Sequence, residues 1–306
     1  MVWETGCSGT ERRAEMDDAG VCAGERDSRE EAAGEQEGAL RRVRLVASDM
    51  DGTFLDENSQ VPPETFSLVR DLCKHGVRFV AASGRRYDTL REYFAPVDDF
   101  VDYVASNGTV VVAEGRLLDR ETYSHLSLIR LAREVAKFDT MHLVAFDSVR
   151  SFLLEPEASY GREIDKDLPD PLVVGTMPGP EANVVKVSVY CDESPLDMAY
   201  ILTREMGDEF VFAPSGHRWI DVMQRGVNKA TGLRFVMAHY GIKPEEVMAF
   251  GDSMNDYEIL RMVGFPRAMG NGRSAIKQIA GKAIGTNAEH AVQAELRALL
   301  DALEAR

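Results

Sequence analysis

The sequence lacks the marks of membrane, secreted and thiolate-metal proteins. No apolar run approaches the roughly 20 residues that cross a bilayer, and the first residues contain no continuous apolar segment of the secretory type. The four cysteines are scattered, with no CxxC pair. This spacing argues against a disulfide framework or a zinc site and fits a reducing compartment. We therefore expect a cytoplasmic protein that has no membrane partner.

An excess of positive charge is also missing, since the formal net charge is −16. That sign opposes general binding to nucleic acid or to an anionic membrane. It does not exclude a small anionic substrate, because salt screens repulsion beyond roughly 8–10 Å and a metal ion or nearby Lys and Arg would dominate inside a site. The length of 306 residues, 44% of them apolar, fits one large or two ordinary domains.

Large apolar and β-branched residues are scarce in residues 1–42, which are rich in Glu, Asp, Arg, Gly and Ala. Such a composition cannot bury enough surface to offset the entropy of ordering the chain. We predict a disordered acidic tail over residues 1–42 and place the fold after it.

The first strong pattern is residues 44–56, RLVASDMDGTFLD, where an apolar run ends at Asp49 and Asp51 and Gly52 follows. A short apolar run ended by turn residues is typical of a buried strand in a parallel sheet, and ligands bind at the carboxyl ends of such strands. Two acids this close repel each other unless a cation or a proton relieves them. Mg²⁺, a hard cation that prefers oxygen ligands, is the natural choice. A simple Asp-Gly turn is the alternative reading.

A second predicted strand, residues 77–82, runs directly into Ser83, Gly84 and Arg85. A hydroxyl and the adjacent backbone N–H groups can hold phosphate oxygens, and the guanidinium can reach a substrate or pair with an acid. The alternative is a helix N-cap at Ser83.

Two later segments place further polar residues at element ends. Lys229 lies in the first turn of a predicted helix, where the macrodipole disfavours a cation, so a functional role is more plausible than for the average surface lysine. The strand predicted at 247–250 ends in Gly-Asp-Ser-Met-Asn-Asp. Asn255 or Asp256 there can cap the next helix, whereas Asp252, directly after the strand, is harder to explain as a cap.

These residues together fit phosphoryl transfer through a covalent aspartyl-phosphate. Asp49 suits the nucleophile, and Asp51 suits the general acid and base. Mg²⁺ held by Asp49, Asp252 and the backbone carbonyl of Asp51 would let the carboxylate approach a phosphate. Ser83 and Lys229 would bind the phosphate oxygens.

The sequence resembles the haloacid dehalogenase superfamily of phosphatases, specifically its Cof-type branch, subclass IIB. The resemblance covers residues 43–302 and rests on an ordered set of motifs. These are DMDGT at 49–53, SGR at 83–85, SNG at 106–108, Lys229 within GVNKATGL, GDSMND at 251–256 and AMGNG at 268–272.

This resemblance implies a fold and an activity. The fold is a Rossmann-like parallel α/β core, over residues 43–120 and 216–306, with an inserted α+β cap domain over 121–215. The activity is Mg²⁺-dependent hydrolysis of small phosphomonoesters such as sugar phosphates. The resemblance also implies the site roles given above, with further residues in support. Asn255 would support the substrate phosphate, Asp256 would orient Lys229 or the metal shell, and Asn107 of the SNG motif would have a supporting role.

Two other functions use similar residues. A receiver domain or non-catalytic phosphate-sensing regulatory protein has no use for Asp51 as an acid and base, and it lacks a second domain of this size. A phosphosugar mutase of the same superfamily would return the phosphoryl group to the sugar, and release of inorganic phosphate separates the two. The identity of the small phosphorylated metabolite and the oligomeric state are not fixed by the sequence. The polar residues considered for specificity in the cap are Asp147, Arg150, His217 and Arg218.

Overall fold

The computed structural model describes residues 38–154, 171–215 and 217–305. Most of the predicted tail, residues 1–37, lies outside the described residues. The prediction of disorder is wrong for the last residues of the tail. Leu40 packs against the apolar core, and Arg41 Nε donates to the Ala302 carbonyl at 2.9 Å. These contacts tie the chain to its C-terminal helix, so the ordered part begins before residue 43.

Strands and helices succeed one another along the described residues. The strands are β1 Leu45–Ser48, β2 Arg78–Ala82, β3 Val101–Ala105, β4 Val110–Ala113, β5 Arg116–Arg120, β6 Met141–Phe146, β7 Ser151–Leu154, β8 Pro171–Val174, β9 Lys186–Cys191, β10 Phe210–Ser215, β11 Trp219–Gln224, β12 Val247–Gly251, β13 Phe265–Ala268 and β14 Lys282–Ala283. The helices are α1 Glu64–Lys74, α2 Tyr87–Tyr93, α3 His125–Val135, α4 Pro195–Met206, α5 Lys229–Tyr240, α6 Tyr257–Met262, α7 Ser274–Ile279 and α8 Ala291–Glu304.

The larger sheet has eight strands in the order β14-β13-β12-β1-β2-β3-β4-β5. It is parallel from β14 to β3, and β4 and β5 are added antiparallel. Side chains alternate between two apolar layers, so Val46 packs with Leu72 of α1 on one face while Leu45 and Ala47 pack with Leu233 of α5 on the other. Burial on both faces explains why β1 is a continuous apolar run. The predicted Rossmann-like α/β fold is confirmed.

The Asn-Gly pair after β3 forms a tight turn. Asn107 and Gly108 have φ of 57° and 102°, in the left-handed region, and β4 returns antiparallel with Ala105 opposite Val110. Glycine is the residue that adopts such a φ without steric cost. The turn directs the Asn107 backbone toward the carboxyl end of β2.

The smaller sheet has six strands in the order β10-β11-β9-β6-β7-β8. Its pairs are antiparallel except β7 with β8. Apolar residues of α3 and α4, among them Leu131 and Leu202, pack on it in a core of their own. The chain enters this sheet after β5 and leaves it before α5.

One strand lies in a different sheet from the one predicted. Residues after 215 were expected in the larger sheet, but β11 pairs with β10 and β9 of the smaller one. In this pairing Asp221 of β11 lies opposite Ala213 of β10 on one side and Ser188 of β9 on the other. An alternating apolar run predicts a strand but does not identify its neighbours, which are fixed here by the β10–β11 hairpin. The return to the larger sheet therefore comes after Gln224.

Among the described residues, no helix has both the length and the apolar character needed to cross a membrane.

Candidate active site

A buried lysine joins two loops at the carboxyl edge of the larger sheet. Lys229 Nζ donates to Asp49 Oδ1, directly after β1, at 2.6 Å and to Asp256 Oδ1, beyond β12, at 2.7 Å. The Lys229 side chain is only 1% exposed. Two carboxylates offset both the burial of the ammonium group and its unfavourable place at a helix N-terminus.

The start of α5 is fixed so that Lys229 reaches the site. The Asn228 side chain accepts from the Thr231 N–H at 3.0 Å and caps the helix. The turn after β3 packs directly on this cap, because a Cβ on Gly108 would lie 2.2 Å from the Asn228 carbonyl oxygen. The Asn-Gly turn and the lysine helix therefore form one rigid contact.

The loop after β12 is organised by Asp256. Its Oδ2 accepts the N–H groups of Asp252 and Ser253, both at 3.0 Å, while its Oδ1 holds Lys229. Gly251 leaves room for this, since a Cβ there would lie 2.5 Å from the Asp256 Cβ. Asp256 thus closes its own loop and holds the lysine.

The site carries excess negative charge. Carboxylate oxygens of Asp49, Asp252 and Asp256 lie within 4.8 Å of one another, so three carboxylates and one ammonium leave two negative charges. Burial and the charge of Asp256 raise the pKa of Asp49 well above its ordinary value, and the same causes raise the pKa of Asp252. Burial lowers the pKa of Lys229, but Asp256 and Asp49 outweigh that effect and raise it.

These residues fit a hard divalent cation, whose charge would balance the two in excess. Gly52, with φ of 75°, lets the chain pass close to Asp252, because a Cβ there would lie 2.9 Å from Asp252 Oδ2. The predicted ligands were Asp49, Asp252 and the backbone carbonyl of Asp51. Asp256, rather than the Asp51 carboxylate, is the third acid of the cluster.

The Asp51 carboxylate instead makes a two-point ion pair with Arg85. Arg85 Nε donates to Asp51 Oδ2 at 2.8 Å, and Nη2 donates to Oδ1 at 2.6 Å. The hydrogen bonds to Asp51 raise the pKa of the guanidinium despite its partial burial. The Arg85 N–H donates to Ser83 Oγ at 3.1 Å, and Ser83 is buried behind it. The SGR motif therefore joins the acid after β1 to the hydroxyl after β2.

Asn107 connects three loops. Its N–H donates to the Ser83 carbonyl at 2.9 Å, and its Oδ1 accepts from Asn255 Nδ2 at 3.1 Å. Its own Nδ2 donates to Asp221 Oδ2 of the smaller sheet at 3.4 Å. The structure therefore brings all the sequence-predicted site residues to one edge of the larger sheet.

A cavity of about 520 Å³ lies between this edge and the smaller sheet. The larger sheet and its loops contribute Asp49, Asp51, Gly84, Arg85, Asn107, Ser253, Met254, Asn255 and Arg273. The smaller sheet contributes Lys186, Val211, Phe212, Ala213, Pro214, Ser215 and Asp221.

Lys186, Asp221 and Arg273 of this cavity were not predicted from the sequence. The first two had a signal, because each is a single charge inside an apolar strand, in VVKVSVY and WIDVM. Such a charge is rarely buried unless it has a partner or a role. Arg273 immediately precedes α7, in a loop whose pattern carries no comparable signal.

The polar residues first considered for specificity do not line the cavity. Asp147 and Arg150 pair with each other at 2.9 Å, and Arg218 donates to Asp192 Oδ1 at 3.2 Å. Pairs of this kind stabilise the loops of the smaller sheet.

A sequence model of the haloacid dehalogenase-like hydrolases matches residues 46–296. The chain belongs to this family. The chain is 30% identical over 248 residues, 80% of its length and 92% of the relative's, to the Escherichia coli 5-amino-6-(5-phospho-D-ribitylamino)uracil phosphatase. A Bacillus subtilis phosphatase of the same name is 26% identical, with 81% of this chain and 94% of that one covered.

Two solved structures share the fold. A Streptococcus mutans protein superposes with a TM-score of 0.77 at 22% identity, covering 85% of this chain and 99% of that one. A hypothetical protein of Geobacillus kaustophilus reaches a TM-score of 0.71 at 27% identity, covering 84% and 98%. The predicted resemblance and the predicted enzyme class are confirmed: the chain is a phosphatase of the haloacid dehalogenase superfamily.

Proposed function

We propose that this phosphatase is Mg²⁺-dependent and hydrolyses small phosphomonoesters through an aspartyl-phosphate. One observation carries the proposal: Asp49 faces a cavity of about 520 Å³ while Lys229 holds its Oδ1 at 2.6 Å. A carboxylate fixed in this way presents its other oxygen to an incoming phosphate.

The reaction then runs in two displacements. An Asp49 oxygen forms a bond to phosphorus as the bond to the leaving oxygen breaks. Asp51, once it has left Arg85 and taken up a proton, gives that proton to the leaving oxygen. Asp51 next takes a proton from water, whose oxygen attacks phosphorus, so that inorganic phosphate forms and the Asp49 carboxylate is restored. Lys229, Ser83 and Asn255 would bind the phosphate oxygens.

A divalent cation would be held by Asp49, Asp252 and the Asp51 carbonyl. When bound, it supplies the positive charge that lets an anionic nucleophile meet an anionic phosphate. The two excess negative charges of the carboxylate cluster support this part of the proposal.

The substrate proposal rests on the cavity and on the relatives. The two aminouracil phosphatases, and a Yersinia pestis HMP-PP phosphatase that is 27% identical over 261 residues, are named for small phosphorylated metabolites. We extend that class, including sugar phosphates, to this chain. The smaller sheet, which closes one side of the cavity, would act as the cap, and scattered cysteines support a cytoplasmic setting.

Asp49→Asn tests the nucleophile. The amide keeps the shape of the side chain but is not a phosphate acceptor, so we expect hydrolysis of p-nitrophenyl phosphate to fall at least about 10³-fold. Asp99→Asn, at an exposed position that does not line the cavity, is the matched control. Equal rates for wild type and Asp49→Asn would contradict the assignment. Release of inorganic phosphate in a single turnover separates a hydrolase from a mutase.

A further inference from the structure

A buried carboxylate of the smaller sheet faces the cavity opposite the nucleophile. Asp221 lies on β11, paired in register with Ser188 of β9, and is 9% exposed. Its Oδ1 accepts from Ser188 Oγ at 3.0 Å, and its Oδ2 accepts the longer bond from Asn107 at 3.4 Å. Asp221 therefore has a fixed orientation and retains acceptor capacity on the cavity side.

The lysine beside Asp221 forms a long ion pair with it and also contacts a backbone carbonyl. Lys186 Nζ donates to the Gly84 carbonyl at 2.9 Å, whereas it lies 3.6 Å from Asp221 Oδ1. The side of the cavity that β10 forms includes the apolar residues Phe212 and Pro214. This part of the cavity thus combines a carboxylate and its lysine with an apolar surface. The other cations that line the cavity, Arg85 and Arg273, come from loops of the larger sheet.

We propose that Asp221 selects substrates by the charge of the leaving group. It accepts a hydrogen bond from a hydroxyl or amine of a neutral leaving group, and it disfavours a leaving group with a carboxylate or a second phosphate. A like charge in a partly desolvated cavity is repelled strongly, which is how one residue excludes a class of ligands. This inference rests on the proposed function, because it concerns the part of the substrate remote from the phosphate.

A purely structural role for Asp221 makes a different prediction. If the contact from Asn107 to Asp221 only holds the two sheets together, its loss changes the rates of all substrates by the same factor. Selection by charge changes the ratio of rates between a neutral and an anionic substrate. The ratio is therefore the diagnostic quantity.

The test compares sorbitol phosphate with phosphogluconate, phosphorylated at the same carbon and differing at the far end by a hydroxymethyl group against a carboxylate. We expect the wild type to favour sorbitol phosphate in kcat/KM. Asp221→Asn should lower that preference at least about tenfold, because the amide removes the repelling charge. Asp192→Asn, a carboxylate of the same sheet outside the cavity, should leave it unchanged.

A second variant, Lys186→Met, should change the substrate preference in the opposite direction. Removing the positive charge beside Asp221 should strengthen the preference for sorbitol phosphate. An unchanged ratio in Asp221→Asn, or an equal loss for both substrates, overturns the inference. Hydrolysis of p-nitrophenyl phosphate by the same preparations tests the proposed function separately: an active enzyme with an unchanged ratio rejects only the role of Asp221, whereas an inactive wild type rejects both.

Discussion

Lys229 carries a buried positive charge, which its two carboxylate partners stabilise. Both of its acceptors, Asp49 and Asp256, are themselves buried, so removing the ammonium leaves two carboxylates in a low-dielectric environment. Breaking such a cluster from one side costs more than replacing it as a whole. The residue that the sequence marks only by its awkward helical position is therefore also part of the core.

We expect Lys229→Met to lower the free energy of unfolding by about 3–5 kcal/mol in metal-free protein. Adding Asp256→Asn should recover part of this loss, because one of the stranded charges disappears. Urea unfolding of the wild type, both single variants and the double variant gives the coupling energy. Additive effects of the two substitutions would contradict the pairing.

The raised pKa of Asp49, caused by burial and by Asp256, predicts how stability depends on pH. The folded state binds this proton more tightly than the unfolded chain, so the contribution of Asp49 to stability falls as the pH rises above its ordinary pKa of about 3.9. In Asp49→Asn this contribution is absent. In the presence of a chelator, the free energy of unfolding of the variant should therefore gain on the wild type as the pH rises from about 4 toward neutral. A constant difference across that range would contradict the prediction.

At the scale of residues, the sequence was informative where chemistry restricts the residue type. Asp49, Asp51 and Asp252 follow apolar runs directly, and that pattern alone predicts a shared edge of a parallel sheet. Lys186 and Asp221 come together only through the pairing of β9 with β11, which no local pattern records. Their roles in the reaction, like those of the motif residues, stay predictions.

At the scale of elements, the contact between the turn after β3 and the start of α5 links the sheet to the lysine. Gly108 has a positive φ and lies against the Asn228 carbonyl, whereas Gly115, in the next turn, has a φ of 70° with nothing within 4 Å of a Cβ. Both glycines have a positive φ, and they differ in crowding. They form a matched pair for separating the two effects.

Gly115→Ala should cost about 1–2 kcal/mol, the strain of a left-handed alanine. Gly108→Ala should cost a further ~1–3 kcal/mol, since the new methyl group forces the turn and α5 apart. Only the second variant should also lose phosphatase activity, because Lys229 begins the displaced helix. Equal unfolding free energies and equal activities for the two variants would show that the contact is unimportant.

Helices and strands could be predicted where their sequence signals are local. The sheet to which a strand belongs could not be predicted in this way. The helix start at Lys229 and the antiparallel return at Val110 follow from caps and turn residues. The assignment of β11 to the larger sheet was wrong because its alternating pattern fits either sheet. Long-range pairing is decided by the whole fold rather than by the strand.

At the scale of the whole molecule, charge predicts the response to metal ions. The chain has a net charge of −16, but the tight cluster of Asp49, Asp252 and Asp256 should bind a divalent cation in preference to the remaining surface. Binding to the folded state alone raises stability by mass action. We expect Mg²⁺ to raise the midpoint of thermal unfolding, and chelation to abolish phosphatase activity.

Asp252→Asn should reduce the Mg²⁺-dependent rise of that midpoint, while Asp192→Asn, in an exposed pair of the smaller sheet, should retain it. Calorimetric scans with and without Mg²⁺ give the comparison at equal ionic strength. A full shift in Asp252→Asn, or full activity after exhaustive chelation, would remove the metal from this site.

The two chain segments that connect the sheets, one leading into the smaller sheet and one leading out of it, lie side by side. Tyr123, just after β5, donates its hydroxyl proton to the Val222 carbonyl, near the end of β11, and its N–H donates to the Val184 carbonyl at 2.9 Å. Because entry and exit adjoin, residues can be gained or lost between them without shifting any strand register in the eight-stranded sheet. A change in the length of the smaller sheet's loops therefore leaves the carboxyl edge of the larger sheet, with its carboxylates and lysine, where it is.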